Sequence, residues 1–559
     1  MSSRSVASLV IVSAAVVTLA AQTAPTLPAT PIQVDRLTAH IKEVSSDAYE
    51  GRGPGTRAEQ KVVDYLSKQL AAAGVQPGGD PDGRGGRKWT QAVTLLRSEI
   101  SGTMTASVSV AGGTVPLKQG EQIAVRSSLL PGSRVSIKNA PIVFLGYGVN
   151  APERRWDDFK GVDVRNKILV VLINDPDFEA DLGKRFDGKA MTYYGRWTYK
   201  FEEAARRGAA GVLVVHESAP ASYGWATVKN SNTGPIMDIV RDRPADTHPQ
   251  LEAWIQRDVA VDLFKRAGLN FDAEKKKAQA QTFQPVPLGN ATLSVEYAVN
   301  QTKLTSSNVA GILKGTGHPD EVVINSAHWD HLGIGGPDAK GDRIYNGARD
   351  NGVGIASVLE LARVYGRAPR TDRSVVFMFV TAEEQGLLGS EYYARHPLYP
   401  LETTVAAYNI DALAVDGPAK DVGVSGEGKI SLQDELGAAA QKQGRRLSAD
   451  PRPEAGEFFR SDHFPFAKVG VPSISIASGQ DLYAGGTAIG KKDEDDYNDN
   501  RYHQPGDEYA STWDLRGVAI DVGLVYEIGR DLANSRRWPE WHADSEFKAL
   551  RDKTRSARK

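Results

Sequence analysis

Short apolar runs and segments of helical spacing alternate along the second half of the chain. The apolar runs have the length of buried strands and are Val322 to Ala327, Val375 to Val380, Val405 to Ile410 and Ile474 to Ile476. Gly354 to Val364 has the apolar spacing of a helix and lies between the first two runs. This alternation predicts an α/β fold, with a mainly parallel central sheet and helices on both faces.

The first half of the chain follows another pattern, in which strands predominate. Thr56 to Ala73 has helical spacing and ends before Gly74, as a helix that is capped by glycine does. Strand-like runs follow at Thr103 to Ala111, Val135 to Leu145, Ile168 to Ile173 and Gly211 to Val215, the last preceded by a helix-like Tyr199 to Arg207. We predict that residues 140–287 form a β-rich module inserted into a larger domain, which comprises residues 25–139 and 288–540. Residues 541–559 are predicted to be a charged C-terminal tail.

The N-terminus has the pattern of an export signal. Arg4 precedes a mostly apolar run of small residues from Val6 to Ala21, and no acidic residue occurs before Asp35. We predict a signal peptide over residues 1–24 and a bacterial protein that is periplasmic or secreted, with no membrane association after cleavage. An uncleaved membrane anchor is the alternative, although the run is short for a span.

Composition narrows the chemistry available to the protein. The 559 residues include no cysteine, so disulfides and thiolate ligands are excluded and any metal must be bound by His, Asp or Glu. A formal net charge of −2 gives no basic surface for nucleic acid.

Polar residues capable of binding metal follow the apolar runs. In parallel sheets, ligands bind at the carboxyl ends of the strands, and the loops after the predicted strands are rich in acidic residues and histidine. A further histidine lies in a loop before a C-terminal helix predicted to begin near Ser511. The five candidate metal ligands are His328, Asp350, Glu384, Asp411 and His503.

The number of candidate ligands predicts how many ions the site binds. One catalytic zinc usually takes three protein ligands, so five are too many for a single ion. Two ions can share one carboxylate, and we expect Asp350, in its glycine-flanked turn, to be this bridge. Two ions about 3.5–4 Å apart can activate water and polarise a carbonyl group.

The adjacent carboxylates Glu383 and Glu384 are predicted to have different roles. Because neighbouring residues that leave a strand point in different directions, Glu384 can bind metal while Glu383 acts as general base. Asp330 is expected to accept the N–H of His328 and fix its tautomer. His331 and His463 can be structural or functional. The acidic run Asp493 to Asp499 lacks a calcium-loop pattern and is interpreted as a solvated loop.

These residues carry a resemblance to the M28 family of zinc metallopeptidases, over residues 308–535. The family pattern of His-x-Asp, Asp-Asn, Glu-Glu, Asp and a late His is present in order. Residues 140–287 resemble the protease-associated domain that many members contain. The resemblance implies two zinc ions, one bound by His328 and Asp411 and the other by Glu384 and His503, with peptides as substrates. It also implies that the module covers the substrate entrance and that Asp462 and His463 lie on the substrate side of the pocket.

Four activities are compatible with this resemblance. A glutaminyl-cyclase-like acyltransferase would use a single zinc, and a binding module of the transferrin-receptor type would lack the metal ligands, which this chain keeps. A carboxypeptidase or dipeptidase of the same family is a further alternative. The glutamate-preferring carboxypeptidases need cationic groups for substrate carboxylates, and the segment Gly470 to Ile476, where such relatives carry arginines, has none. We therefore prefer an aminopeptidase. The sequence gives no indication of an oligomeric state.

Overall fold

A computed structural model describes residues 27–110, 113–180, 182–183, 185–426 and 429–558. The predicted signal peptide, residues 1–24, lies outside these residues. The described strands are β1 (Gln76–Pro77), β2 (Thr90–Val110), β3 (Gly113–Pro116), β4 (Ile123–Val125), β5 (Arg134–Phe144), β6 (Asn150–Ala151), β7 (Trp156–Asp157), β8 (Ile168–Leu172), β9 (Gly211–His216), β10 (Ile236–Ile239), β11 (Leu251–Gln256), β12 (Val286–Leu313), β13 (His318–His328), β14 (Gly333–Ile334), β15 (Ile344–Tyr345), β16 (Arg373–Val380), β17 (Thr404–Ile410), β18 (Asp421–Val424), β19 (Arg446–Ser448) and β20 (Ser473–Ser478). The described α-helices are α1 (Val34–Val44), α2 (Arg57–Ala72), α3 (Trp197–Arg206), α4 (Ser218–Ala221), α5 (Trp225–Asn232), α6 (Arg257–Arg266), α7 (Phe271–Ala278), α8 (Gly354–Arg367), α9 (Leu388–Arg395), α10 (Ser431–Lys442), α11 (His463–Lys468), α12 (Gly486–Asn500), α13 (Arg516–Ala533) and α14 (Lys548–Lys553).

A large central sheet runs through the molecule and has two parallel blocks. Its strand order is β19-β18-β20-β17-β13-β16-β12-β5-β8-β9-β11-β4. Strands β20, β17, β13 and β16 are parallel neighbours, and so are β5, β8, β9 and β11. The long strand β12 joins the blocks, since it pairs antiparallel with both β16 and β5. The predicted α/β fold with a mainly parallel sheet is confirmed.

Side chains of the C-terminal block alternate between two hydrophobic cores. Val323, Ala327, Phe377 and Phe379 pack into the larger core, which α1, α2, α8, α10 and α13 complete. Their neighbours Ile324 and Met378 belong to a smaller core on the opposite face, with Tyr393 of α9 and Phe466 of α11. Successive strand residues point to opposite faces, so continuous apolar runs are buried on both sides by helices.

The N-terminal block has hydrophobic cores of its own. One core includes Phe264 of α6 and Phe271 of α7, and the other includes Phe201 of α3. These cores take in residues from Ala106 to Val299, a wider range than the 140–287 predicted from the sequence. The difference arises because β2 and β12 run through both parts of the molecule and pair along most of their length.

Two segments differ from the sequence-based predictions. The acidic run Asp493 to Asp499 is part of helix α12 and not a loop, because Tyr497 is buried on one helix face and the Lys491 ammonium pairs with the Asp495 carboxylate at 2.8 Å. The C-terminal helix α13 begins at Arg516 and not near Ser511.

The segment after residue 540 packs against the main core. Trp541 and Phe547 belong to the larger hydrophobic core, and the buried guanidinium of Arg551 donates to the Thr404 carbonyl at 3.0 Å. The prediction of a charged tail was based on charge alone and therefore did not include the apolar contacts of this segment. Within the described ranges, no helix combines the length and apolar character needed to cross a bilayer.

Candidate metal centre

The candidate ligands lie at the carboxyl edge of the C-terminal block. His328 is the last residue of β13, Glu384 follows β16 by four residues, and Asp411 directly follows β17. Because β13 lies between β16 and β17 and is parallel to both, the three ends meet at one edge. Asp350 comes from the tight turn before α8, and His503 from the connection between α12 and α13.

The first group of ligand atoms is centred on His328. Its Nε2 lies 3.1 Å from Asp411 Oδ1 and 3.2 Å from Asp350 Oδ1. Donor atoms of these three residues lie within 4.8 Å of one another. Such a spacing allows one ion to contact all three.

The second group is centred on His503. Its Nε2 lies 2.9 Å from Glu384 Oε2 and 3.3 Å from Asp350 Oδ2. The two oxygens of Asp350 therefore face different histidines, which is the arrangement that a bridging carboxylate requires. The His503 ring stacks on Tyr502 with centroids 3.9 Å apart, so its orientation is fixed by packing.

His331 also belongs to this region, and its contacts distinguish it from His503. The Nδ1 of His331 lies 2.6 Å from Glu384 Oε1, and its donor atoms can form a group with those of Asp350 and Glu384. His503 is close to both carboxylates of the second group, whereas the short contact of His331 is with Glu384 alone. His331 therefore holds the Glu384 carboxylate in place and is itself a candidate ligand of the second group. The sequence placed His331 next to the site but gave no signal for this contact.

Asp330 contacts the backbone of the two glutamates and not the expected imidazole. The Nδ1 of His328 faces the backbone oxygen of Asp330 at 3.1 Å, while the Asp330 carboxylate is 3.8 Å away. That carboxylate accepts the backbone N–H of Glu383 at 3.1 Å and of Glu384 at 3.4 Å. The backbone carbonyl of Asp330, and not its carboxylate, is therefore the group that can fix the tautomer of His328. The Asp330 carboxylate instead positions the two glutamates.

Three further residues position the ligands or the segments that carry them. The sequence did not indicate this role for any of the three. The Asp507 carboxylate accepts the backbone N–H of Asp350 at 3.0 Å, and the Ser461 hydroxyl donates to Asp411 Oδ2 at 2.6 Å. The buried guanidinium of Arg52 donates to the backbone carbonyls of Trp329 and Gly347 at 2.8 Å. These contacts join segments that are far apart in sequence, so local patterns carry no signal for them.

Burial and close charges shift the proton affinities at this site. Burial opposes the charged form of His328, but Asp411 and Glu383 outweigh burial and raise the pKa of this imidazole well above its usual range. Burial raises the pKa of Glu383, while a charged His328 opposes the rise and Asp411 adds to it. Perturbed proton affinities of this kind cluster at functional sites.

The structure places Asp462 and His463 in the protein interior. Both side chains are buried, and the Asp462 carboxylate accepts the hydroxyl of Ser390 at 2.5 Å. Both ring nitrogens of His463 are buried without a hydrogen-bond partner in the described residues, and burial lowers the pKa of this imidazole to about 3. Both residues open the short helix α11 and face the protein interior, so neither lines the neighbouring cavity.

A cavity of about 290 Å³ lies beside the candidate ligands, between the two parts of the molecule. Glu383, Glu384 and His503 line it on the C-terminal side. The N-terminal block contributes Trp197 and Phe201, among other residues. The cavity is thus bounded by both parts of the chain and is open to the candidate metal ligands.

Comparison with known proteins agrees with this site. Residues 308–522 match the model of Peptidase family M28. The segment contains all of the candidate ligands, so the protein is a hydrolase of the metallopeptidase class. More particularly, residues 308–522 have the character of Peptidase family M28.

The alignments with similar proteins cover different shares of the chain. The probable lipoprotein aminopeptidase LpqL of Mycobacterium tuberculosis is 29% identical over 374 residues, which are 56% of this chain and 70% of LpqL. Aminopeptidase YwaD of Bacillus subtilis is 31% identical over 213 residues, 37% of this chain and 41% of YwaD. An aminopeptidase from Aneurinibacillus sp. strain AM-1 of known structure has a TM-score of 0.49 and 20% identity, with 89% of this chain and 94% of that chain covered.

Proposed function

We propose that the protein is an exported aminopeptidase that uses two zinc ions to remove N-terminal residues from peptides. The observation that carries the proposal is the position of Asp350, whose two carboxylate oxygens face His328 and His503 at 3.2 and 3.3 Å. The relatives LpqL and YwaD are named as aminopeptidases, which favours this activity over others of the same family.

The donor set fits zinc. Imidazole nitrogen and carboxylate oxygen are suitable ligands for this borderline ion, and the chain has no thiol to compete with them. The Nε2 of His503 is buried and makes no aligned hydrogen bond in the described residues, although Glu384 Oε2 is 2.9 Å away. A ring nitrogen that approaches a carboxylate without hydrogen-bond alignment is consistent with a metal ligand.

In this proposal His328 and Asp411 would hold one ion and Glu384 and His503 would hold the other, with Asp350 shared between the two groups. When bound, the ions lower the pKa of water and polarise the carbonyl of the scissile bond. Glu383 accepts a proton from the attacking water and delivers it to the leaving amine. Asp330 keeps Glu383 in position through the backbone hydrogen bond described above.

The inserted module is proposed to act as a protease-associated cover of the substrate cavity. Module residues line the cavity, and direct contacts join the module to the peptidase part. The Lys468 ammonium, for example, lies 3.0 Å from a carboxylate oxygen of Glu202. The export signal proposed for residues 1–24 would direct the protein to the periplasm or the medium.

The end of the peptide that is attacked can be tested with blocked substrates. We expect peptides with a free α-amine to be cleaved at least about 100-fold faster than the same peptides with an acetylated N-terminus. Measurement of kcat/KM for matched free, acetylated and C-terminally amidated peptides checks this. Cleavage of acetylated peptides, together with a requirement for a free C-terminal carboxylate, would instead indicate a carboxypeptidase.

A further inference from the structure

The substrate cavity contains several acidic side chains in addition to the candidate metal site, and each has a cationic partner. The pairs are Glu202 with Lys468 at 3.0 Å, Asp238 with Arg241 at 2.6 Å, Glu252 with Arg126 at 3.0 Å and Glu391 with Arg395 at 2.8 Å. His248 also contacts both Asp238 and Glu252. Their charges are therefore balanced within the protein.

Arg196 lines the same cavity but has no such partner. It directly precedes helix α3, and its Nε is buried without a hydrogen-bond partner in the described chain. Its guanidinium forms no hydrogen bond or ion pair with any residue that the structure describes. Burial lowers the pKa of Arg196 to about 10, so the side chain remains protonated at neutral pH. The Glu457 carboxylate lies close enough to raise the pKa of Arg196 but does not pair with it, and a half-buried cation without a paired anion is costly unless an anion binds to it.

Arg460 provides a second cation on the cavity wall. Its Nη1 lies 3.3 Å from Glu457 Oε1, and it directly precedes Ser461, whose hydroxyl binds Asp411. The charge of Arg460 contributes to lowering the pKa of Arg196, so the two guanidinium groups are close enough to repel each other. Both line the cavity together with Glu383, the proposed general base.

We propose that Arg196 and Arg460 form a subsite that binds a carboxylate of the peptide substrate. Guanidinium groups present paired N–H donors that match the two oxygens of a carboxylate. The substrates would therefore be short peptides whose C-terminal carboxylate reaches this subsite, or peptides with an acidic side chain. This inference rests on the proposed peptidase function and specifies its substrate class.

A peptide panel distinguishes the two sources of the carboxylate. Leu-Ala offers a C-terminal carboxylate, Leu-Glu-amide and Glu-Ala-amide offer acidic side chains, and Leu-Ala-amide offers neither. For the wild-type enzyme we expect at least one carboxylate-bearing peptide to exceed Leu-Ala-amide by about 10-fold or more in kcat/KM. The preferred peptide identifies the source of the carboxylate.

Substitution of the arginine tests whether it causes the preference. Arg196→Gln should raise KM for the preferred peptide by about 10-fold and leave Leu-Ala-amide unchanged, while Arg196→Lys should have an intermediate effect. Arg243→Gln is the matched control, because Arg243 belongs to the same module but its side chain is 82% exposed. An unchanged preference in Arg196→Gln, or no preference in the wild type, would overturn the proposed subsite.

Binding measurements separate this inference from the proposed activity. Calorimetric titration of the peptides into the Glu383→Gln variant, with and without Arg196→Gln, measures the subsite without turnover. Tighter binding of the carboxylate-bearing peptide that depends on Arg196 would support the subsite even if the peptide panel revealed no aminopeptidase activity. Equal binding in both variants would contradict the subsite while leaving the proposed activity intact.

Discussion

At the scale of single residues, Glu383 and Glu384 are neighbours in sequence with different surroundings. The two oxygens of Glu384 face His331 at 2.6 Å and His503 at 2.9 Å. The Glu383 carboxylate makes no hydrogen bond to another described residue and lines the cavity. Their difference in contacts matches the difference in proposed roles, with Glu384 as a ligand and Glu383 as the base.

Substitution of each glutamate should therefore have a different effect on metal content. We expect the wild type to retain about two equivalents of zinc. Glu383→Gln should keep both ions but lower kcat by about 10²–10⁴-fold, because only proton transfer is removed. Glu384→Gln should lose about one ion, because its carboxylate is a proposed ligand. Elemental analysis after dialysis, together with kinetics on one peptide, measures both quantities.

The reverse outcome would exchange the two roles. If Glu383→Gln emptied the site while Glu384→Gln kept both ions, Glu383 would be the ligand. One equivalent of zinc in the wild type would contradict the two-ion proposal and favour the single-zinc cyclase reaction.

At the scale of elements, close helix packing limits which side chains the helices tolerate. Gly366, near the end of α8, faces the Ala73 residue that follows α2. A Cβ atom added at Gly366 would lie 1.9 Å from the Ala73 backbone oxygen. Helix α8 therefore approaches the end of α2 at a distance that only glycine allows.

We expect Gly366→Ala to lower the free energy of unfolding by about 1–3 kcal/mol, because backbone atoms must move to relieve the overlap. Gly437→Ala in α10 is the matched control. A Cβ at Gly437 meets Leu447 at an ordinary 3.6 Å, so alanine should stabilise the helix by about 0.5–1 kcal/mol. Denaturant unfolding at constant metal content measures both changes. Equal effects of the two substitutions would contradict this account of the α2 and α8 contact.

At the scale of the whole molecule, a buried ionic cluster joins the N-terminal block to the peptidase part. His248 contacts Glu252 at 2.7 Å and Asp238 at 2.9 Å. Arg241 pairs with Asp238 and also reaches Glu391 of α9 at 3.4 Å. Burial opposes the charged form of His248, but Glu252 and Asp238 outweigh burial and raise the pKa of this imidazole to about 9.

The raised pKa predicts a pH-dependent contribution of His248 to stability. In the unfolded chain this imidazole titrates near 6.5, so its contribution is fully present below pH 6.5 and is lost as pH rises through about 9. The loss should reach about 3 kcal/mol at most. We expect the stability difference between wild type and His248→Gln to shrink over this pH window. A constant difference between wild type and His248→Gln across this window would contradict the raised pKa.

The sequence determined the type of fold and the set of candidate ligands. Apolar runs such as Val375 to Val380 specify strands that are buried on both faces, and polar residues directly after them must emerge at the edge of the sheet. In a parallel sheet the ends of neighbouring strands lie side by side, so the order of motifs along the chain already predicts that His328, Glu384 and Asp411 converge.

Only the tertiary structure decided which other residues surround this site. The contact of Asp507 with Asp350, and the place of Arg196 beside Glu383 in the cavity, join segments more than a hundred residues apart. The burial of Asp462 and His463 depends on how α11 packs against the rest of the protein. The acidic run from Asp493 is helical because the side chain of Tyr497 is buried on one face of α12. The spacing of apolar residues indicates only the local preference of the chain for helix or strand. The contacts listed here depend on packing between distant segments, so the sequence alone did not reveal them.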